Sequence, residues 1–192
     1  MREQDRKEVF LNILKPSIIE NCVKERVCPS VFAAIAIKSS NWGDDVNVHL
    51  SMNLFSLPAN SGEWYGKCLN TNTHQEYNTK SESTEVGEVL IRAYDLYEES
   101  ISDYVSFVMN YKRSKNGPYK YQIIKNCTDY KETINKLVRA GFMQDHFYTV
   151  DDIILIQDLI GIIENYSLYE WDQPLKEAIK EDKEECLRRI GK

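Results

Sequence analysis

The stretch CPSVFAAIAIKSSNWG, residues 28–43, decides which fold this chain can adopt. Pro29 suits the first turn of a helix, because the N–H that proline lacks would have no partner there. Apolar and small residues then recur at helical spacing and share one face of that helix: Phe32, Ile35, Ala36 and Ser39. The pattern predicts a buried helix that ends in a Trp-Gly turn, with Ser39 pointing into the protein.

The length and the charge of the chain limit its possible class. Its 192 residues fit one domain, or one domain with a short appendage, and can bury a core without disulfides or metals. The 24 Lys and Arg residues against 30 Asp and Glu residues give a net charge of −6 and a pI near 5.2. Nucleic acid is not an expected partner, since binding to a phosphate backbone needs a basic surface.

The cysteines are odd in number and scattered, without a CxxC motif or paired Cys/His spacing: Cys22, Cys28, Cys68, Cys127 and Cys186. This arrangement predicts free thiols, and it predicts no metal and no cofactor. A cysteine hydrolase would need Cys28 or Cys68 beside a histidine, and no local signature supports that arrangement.

The N-terminal sequence and the apolar runs bear on localisation. The first ten residues, MREQDRKEVF, are too charged for a signal peptide, and no apolar run reaches the ~20 residues of a membrane helix. We therefore expect synthesis in the cytoplasm and no membrane partner, unless a leader has been removed from the sequence.

The first half of the chain divides into helices and a polar lobe. Apolar residues recur at helical spacing from Val9, with Pro16 placed to kink that helix or restart it. Residues 60–85 are rich in Asn, Ser, Thr and Gly, and Val86 to Tyr94 form a β-like run. This predicts a small lobe of two or three short strands near Gly62 to Tyr94.

Capping signals mark the helices of the second half. Asp95 and Glu98 form an Asp-x-x-Glu cap, Thr128 begins a helix that Gly141 ends, and Thr149 with Asp152 opens an apolar helix reaching Ile163. From Pro174 the sequence is charged on most faces, which predicts a surface helix or a linker. We expect a main domain over residues 1–172 and an appended segment over residues 173–192.

Five motifs in order resemble a known family. The opening stretch is similar to the pattern L-P-S-x-x-x-A-Q-A-x-L-E-S-x-W-G, and NLF (residues 53–55), HQEY (74–77), YEESISDYVSFV (97–108) and AGFMQDHFY (140–148) follow in the family's order. Between Val9 and Asp172 the chain thus resembles the endo-β-N-acetylglucosaminidases of glycoside hydrolase family 73. Such domains occur in bacterial autolysins, phage endolysins and flagellar-rod hydrolases.

The resemblance implies a lysozyme-like α+β fold, with a mainly helical body and a small β-lobe flanking a glycan groove. It also places Ser39 where the family has a glutamate, the general acid that protonates the glycosidic oxygen. A serine hydroxyl has no usable acidity near neutral pH, and positioned proton transfer is typically worth about 10²–10⁴-fold in rate. The sequence therefore predicts that hydrolysis is lost or strongly impaired.

Neighbouring departures from the family pattern favour a natural loss over one engineered substitution, although both explanations stay open. Ile35 stands where the family has glutamine, Lys38 replaces an apolar residue, and Ser56 replaces the glycine after Asn-Leu-Phe. Asp44 and Asp45 are the nearest spare carboxylates, and nothing in their spacing directs them at a scissile oxygen.

The resemblance also suggests the remaining site residues. Glu76 matches the second family carboxylate and is expected across the groove from Ser39. Five residues are candidates for substrate binding: Trp42, Asn53, Phe55, Tyr77 and Tyr148. Packing in the core is the alternative role of the Phe55 and Tyr148 rings, and packing within the lobe is that of Tyr77.

Three hypotheses on function follow. The leading one is a peptidoglycan-directed glucosaminidase domain that has lost hydrolysis and keeps glycan binding or a structural role, at the cell wall or within a larger exported protein. Its expected partners are peptidoglycan glycan strands, with a phage or cell-wall protein as a second candidate. The alternatives are an active endo-β-N-acetylglucosaminidase and a protein-interaction module on a degenerate hydrolase fold.

Overall fold

The computed structural model describes residues 2–61, 64–78, 83–112, 114–142 and 152–190, without the side chains of residues 72–78, 83–89 and 152. The helices are α1 (Glu3–Glu25), α2 (Pro29–Ser40), α3 (Val46–Ser51), α4 (Tyr97–Asn110), α5 (Tyr130–Arg139), α6 (Asp152–Asn165) and α7 (Gln173–Ile190). Two short 3₁₀ helices span Gln122–Ile124 and Leu168–Asp172, and the strands are β1 (Cys68–Asn78) and β2 (Ser83–Arg92). A mainly helical body with one small antiparallel sheet confirms the α+β class expected from the sequence.

Helix α2 is the centre of the hydrophobic core. Every residue from Pro29 to Ile37 is buried, as expected of a helix that is apolar on all sides. The helix packs against α1, α5, α6 and the 3₁₀ helix Leu168–Asp172. Helix α2 is therefore buried on all sides and not only along the one apolar face that the spacing predicted.

The buried carboxylate of Asp172 holds the N-terminal end of α2. One carboxylate oxygen accepts a hydrogen bond from the Ser30 backbone N–H at 2.8 Å, and the other accepts from the Ser30 hydroxyl at 2.6 Å. Burial raises the pKa of Asp172, and the two bonds from Ser30 act in the opposite direction. The carboxylate also lies at the helix end where negative charge is favourable.

Helix α1 runs without a break through Pro16, so the helix does not restart there as one of the two expectations had it. Pro16 is exposed, and the helix loses only the one hydrogen bond that its missing N–H would have made. Leu14 and Ile18, on either side of it, are fully buried in the core. Tertiary packing on both sides of the proline therefore supports the continuous helix.

The β-lobe is a single antiparallel hairpin. Its register runs from Cys68 opposite Arg92 at the base to Asn78 opposite Ser83, with an irregularity between Thr71 and His74. The strands have 11 and 10 residues, longer than the short strands expected. The lobe itself is confirmed within the predicted range, although β2 begins three residues before the β-like run.

The capping residues of α4 and α5 differ by one position from those expected. Leu96 precedes α4, and the backbone N–H of Asp95 donates to Glu99 at 2.9 Å, so Glu98 is not the partner. Asp129, rather than Thr128, caps α5 by accepting from the Glu132 N–H at 2.8 Å. For α5 two adjacent residues could cap, whereas Leu96 of α4 has no side chain that can do so. Gly141 follows α5 with a φ of +77°, and Thr149 lies outside the described residues.

The last helix, α7, packs on the body through its first half only. Leu175 and Ile179 are buried against the preceding 3₁₀ helix and α1, and Arg26 pairs with Asp182 at 2.7 Å. Residues 180–190 are exposed. No described helix combines the length and the apolar character needed to cross a membrane. The predicted boundary between residues 172 and 173 stays a prediction.

Candidate functional site

The candidate site begins at the C-terminal end of α2. Ser39 is partly exposed there, whereas the next residue, Ser40, is fully buried. The Ser40 hydroxyl accepts a hydrogen bond from the Gly43 N–H at 3.0 Å. The prediction that Ser39 points into the protein was therefore wrong, because Ser40 takes the inward position. Ser39 lies instead at the boundary between core and solvent, where a groove residue could meet a ligand.

The turn after α2 has an unusual backbone. Asn41, Trp42 and Gly43 have φ values of 47°, 62° and 76°, three consecutive residues in the left-handed region. A Cβ on Gly43 would lie 2.7 Å from Cε2 of Phe10, so contact with α1 requires glycine there. A left-handed Trp42 costs about 1–2 kcal/mol, which the packing around its ring must offset.

The ring of Trp42 packs between α1 and the end of α6. Its centroid lies 4.5 Å from that of Tyr166 and 6.3 Å from that of Phe10, with Lys7 Nζ 5.0 Å above the ring. The indole also borders a cleft of about 340 Å³ whose other walls include Arg6 and Asn41. Trp42 thus has a clear packing role, and its contact with substrate stays a prediction.

Lys38, beside Ser39, is held by an ion pair. Its Nζ lies 2.6 Å from a carboxylate oxygen of Asp158 on α6. The pair is partly exposed, and it links the end of α2 to α6 rather than leaving the ammonium free beside Ser39.

The two aspartates after the turn have structural partners. Asp44 pairs with Arg6 of α1 at 3.0 Å, and Asp45 caps α3 by accepting from the Asn47 N–H at 2.7 Å. These contacts tie α1 and α3 to the turn. Both carboxylates are therefore engaged in structural contacts.

Asn53 organises the loop between α3 and the hairpin. Its side-chain amide donates to the carbonyl oxygens of Leu57 and Arg92 at 3.0 and 2.9 Å. Its side-chain oxygen accepts from the N–H groups of Phe55 and Leu57 at 3.3 and 3.1 Å. Asn53 is fully buried with all four bonds used, so no polar atom remains for a ligand. The predicted direct contact with substrate is corrected to a role in shaping this loop.

Phe55 and Ser56 complete that loop. The Phe55 ring stacks on the buried Tyr104 ring at 3.8 Å with an interplanar angle of 4°, and 8 % of Phe55 is exposed. Phe55 therefore mainly packs in the core, with a small surface left for a cleft floor. Ser56 has a φ of +50°, which explains why the family pattern has glycine at this position.

Glu76 and Tyr77 lie on β1, opposite Glu85 and Thr84. Glu76 is eight residues beyond Cys68 at the base of the hairpin, or about 26 Å along a strand that rises about 3.3 Å per residue. Both side chains, and the whole of Tyr148, lie outside the described residues. The expected arrangement of Glu76 across a groove from Ser39 stays a prediction.

The described residues offer little to other chemistries. All five cysteines are free thiols, and burial raises the pKa of Cys28 to about 12, so Cys28 is not a reactive thiolate. Within the described part of the chain, no three His, Cys, Asp or Glu side chains are grouped so that they could hold a metal ion.

Sequence patterns did not indicate the ion pair between the buried Arg92 and the partly exposed Asp103, at 2.7 Å. The signal was present, since Arg92 lies within the β-like run from Val86 to Tyr94 and Asp103 lies between the apolar residues Ile101 and Tyr104. Only the fold brings the two together.

Solved structures define the class of protein. The chain superposes on the catalytic domain of the autolysin Auto from Listeria monocytogenes with a TM-score of 0.70 and 23% identity, over 86% of this chain and 87% of that chain. The glycoside hydrolase domain of FlgJ from Salmonella typhimurium gives 0.60 and 20% identity, over 95% and 98% of the two chains. The protein therefore has the lysozyme-like α+β fold of these domains.

The family follows from the sequence comparison. A family model described as mannosyl-glycoprotein endo-beta-N-acetylglucosaminidase matches residues 15–168. The chain belongs to this glucosaminidase family, glycoside hydrolase family 73, as its motifs indicate.

Two relatives are similar to this chain in sequence. The chain is 26% identical to the exo-glucosaminidase LytG of Bacillus subtilis over 172 residues, which are 89% of this chain and 55% of LytG. It is 28% identical to the peptidoglycan hydrolase FlgJ of Vibrio parahaemolyticus over 160 residues, 81% of this chain and 48% of that protein. The chain thus spans about half the length of these relatives.

Proposed function

We propose that this chain is a peptidoglycan-directed domain that binds glycan strands between the end of α2 and the hairpin, with hydrolysis lost or strongly impaired. The proposal is carried by Ser39, the residue that the motif resemblance places where the family has its general acid. Its partly exposed position at the edge of the core is where such an acid would act. The relatives LytG, an exo-glucosaminidase, and FlgJ, a peptidoglycan hydrolase, support the choice of substrate.

The chemistry of the bond explains why serine is not sufficient. Cleavage of a glycosidic bond needs a proton on the leaving oxygen, and a carboxylic acid of raised pKa supplies it. A glutamate at residue 39 would lie near the C-terminal end of the α2 dipole, which disfavours its charged form and raises its pKa. Ser39 can donate a hydrogen bond to a sugar but cannot transfer a proton at neutral pH.

Among the described residues, the two aspartates that follow the turn after Ser39 already have structural partners. Asp44 pairs with Arg6, and Asp45 caps α3. Moving either to the scissile oxygen would remove a structural contact of the turn that follows α2. Glycan binding needs no such acid, so it can persist after catalysis is lost.

Binding and hydrolysis are tested separately. Purified Gram-positive sacculi are incubated with the protein, and bound protein is measured by sedimentation while hydrolysis is followed as loss of turbidity. We expect the protein to bind the sacculi. We expect it to clear them much more slowly than an intact family member does. Robust clearing by the unmodified chain would contradict the loss of catalysis, and absence of binding would favour the protein-interaction module.

The variant Ser39→Glu tests the cause of the loss. We expect it to regain at most part of the missing factor of about 10²–10⁴ in rate. The positive charge of Lys38 lies next along the helix and lowers the pKa of a new glutamate, although its ion pair with Asp158 reduces that effect. Asn135→Glu, which adds a carboxylate to an exposed position of α5, is the matched control and should stay inactive. Full recovery in Ser39→Glu would mean that the rest of the site was intact.

A further inference from the structure

A buried guanidinium links the base of the hairpin to helix α4. Arg92 is the last residue of β2 and only 4 % exposed. It pairs with Asp103 of α4 at 2.7 Å, and its other terminal nitrogen donates to the carbonyl oxygen of Ser61. Its Nε has no hydrogen-bond acceptor among the described residues, so Asp103 is the main balance for the buried charge.

Aromatic rings enclose the same guanidinium. Its central carbon lies 4.8 Å from the ring centroid of Trp64 and 5.6 Å from that of Phe107. The Trp64 indole N–H donates to the Lys67 carbonyl oxygen at 3.0 Å, which fixes the orientation of the ring. Arginine suits this position because a planar cation can stack on rings and still pair with a carboxylate.

Further hydrogen bonds connect this cluster to the loop described above. The Arg92 N–H donates to the Leu57 carbonyl oxygen at 3.0 Å, and the Arg92 carbonyl oxygen accepts from the Asn53 side chain at 2.9 Å. The Tyr94 hydroxyl donates to Asp103 at 2.6 Å. Burial and the neighbouring Asp103 raise the pKa of Tyr94, so this hydroxyl remains a donor at any working pH.

The geometry of the hairpin amplifies small movements at its base. Glu76 lies about 26 Å along the strand from Cys68, the residue opposite Arg92. A rotation of about 10° at the base would move the backbone of Glu76 by roughly 4–5 Å, given that lever arm. Binding sites require their groups to be held within about 0.5 Å. The contacts at the base therefore control the position of any hairpin residue that lines a groove.

We propose that Arg92, held by Asp103 and Tyr94, is a positioning residue that sets the angle of the hairpin on the body and thereby the width of the glycan groove. The glycan part of this inference rests on the proposed function. The positioning part concerns the hairpin alone and can be measured without a ligand.

The test uses the full chain with the substitutions Asp103→Asn, Tyr94→Phe and Arg92→Lys. Hydrogen exchange is followed by mass spectrometry in peptides covering the hairpin, α2 and α5, and sedimentation with purified sacculi gives the affinity for glycan. Asp103→Asn should make amides at the hairpin base exchange about 10- to 100-fold faster, because a charged partner of a buried group is lost. Exchange in α2 and α5 should stay unchanged.

The other two variants should increase hydrogen exchange in the hairpin by smaller amounts. Arg92→Lys keeps the charge but loses the planar stacking and the second hydrogen bond, so it should give intermediate exchange, and Tyr94→Phe the smallest increase. Affinity for sacculi should fall in the same order. The matched control is Lys67→Gln, which removes the exposed Lys67–Asp95 ion pair at the same base and should change neither readout.

Two results would overturn the inference. Unchanged exchange in the hairpin of Asp103→Asn would show that the ion pair does not hold it, and equally faster exchange in α2 and α5 would indicate only a loss of global stability. If the unmodified protein fails to bind sacculi, the proposed function fails, while the exchange data still decide whether Arg92 positions the hairpin. Faster exchange in the hairpin with unchanged affinity would refute the link to the groove.

Discussion

Replacing Asp172 by alanine should weaken the attachment of α2, the helix that carries Ser39. The substitution removes the acceptor of two hydrogen bonds from Ser30, at 2.8 and 2.6 Å, inside the protein. Ser30 is fully buried, so no solvent can replace the lost acceptor without a rearrangement.

The expected magnitude follows from these contacts. Each buried donor left without an acceptor costs about 1–3 kcal/mol. The lost interaction with the N-terminal end of the α2 dipole adds about 0.3–1 kcal/mol. The raised pKa of Asp172 means that burying its charge is itself unfavourable, and the substitution removes that penalty. These losses sum to about 2–7 kcal/mol, and the removed penalty of burying the charge offsets part of them, so we expect a net loss of about 2–4 kcal/mol in the free energy of unfolding.

Urea denaturation followed by circular dichroism at neutral pH measures this loss. Asp172→Asn, which keeps one acceptor for the backbone N–H, is the matched control and should lose about 1 kcal/mol. Ser30→Ala and the double variant complete a cycle whose coupling energy should be about 1–2 kcal/mol. A loss below about 0.5 kcal/mol in Asp172→Ala, or a coupling near zero, would refute the assignment of Asp172 as the anchor of α2.

Three further predictions concern backbone strain, pH and thiols. Ser56→Gly should stabilise the protein by about 0.5–1 kcal/mol, because relief of the left-handed backbone exceeds the entropy of glycine in the unfolded chain. Ser106→Gly on the exposed face of α4 should instead lose about 0.5 kcal/mol, and equal effects in the two urea titrations would contradict the explanation. Folding raises the pKa of Asp172 above its ordinary value of 3.8. The stability that this shift contributes is therefore fully present below pH 3.8 and is lost as the pH rises through the pKa of Asp172 in the folded protein. The free energy of unfolding of the protein minus that of Asp172→Asn should therefore be larger near pH 3.5 than near pH 7, and the opposite order would be inconsistent with a raised pKa. Titration under denaturing, non-reducing conditions should find five free thiols, and finding three or one would reveal a disulfide.

Local sequence was sufficient for most of the helices, for the β-lobe and for the family. Helical periodicity, Pro29 at the start of α2 and the turn containing Gly43 depend on neighbours within a few residues, so the sequence carries them directly. The same local signals placed the caps of α4 and α5 one residue away from the observed ones. Two adjacent residues could cap α5, and local preference does not distinguish them.

Tertiary structure alone decided how the residues around the site are used. Asn53 belongs to a motif that indicated substrate contact, yet its four hydrogen bonds shape a loop. Lys38 finds Asp158 at a separation of 120 residues, and Ser30 finds Asp172 at 142. No local pattern encodes such pairs, because the energy of a long-range contact exists only after the chain has closed the loop between its partners. The sequence by itself was thus sufficient to indicate the family and to show that residue 39 is a serine. Packing determined that Ser40, not Ser39, faces the core, since only the assembled neighbours of α2 define which of its sides remains open.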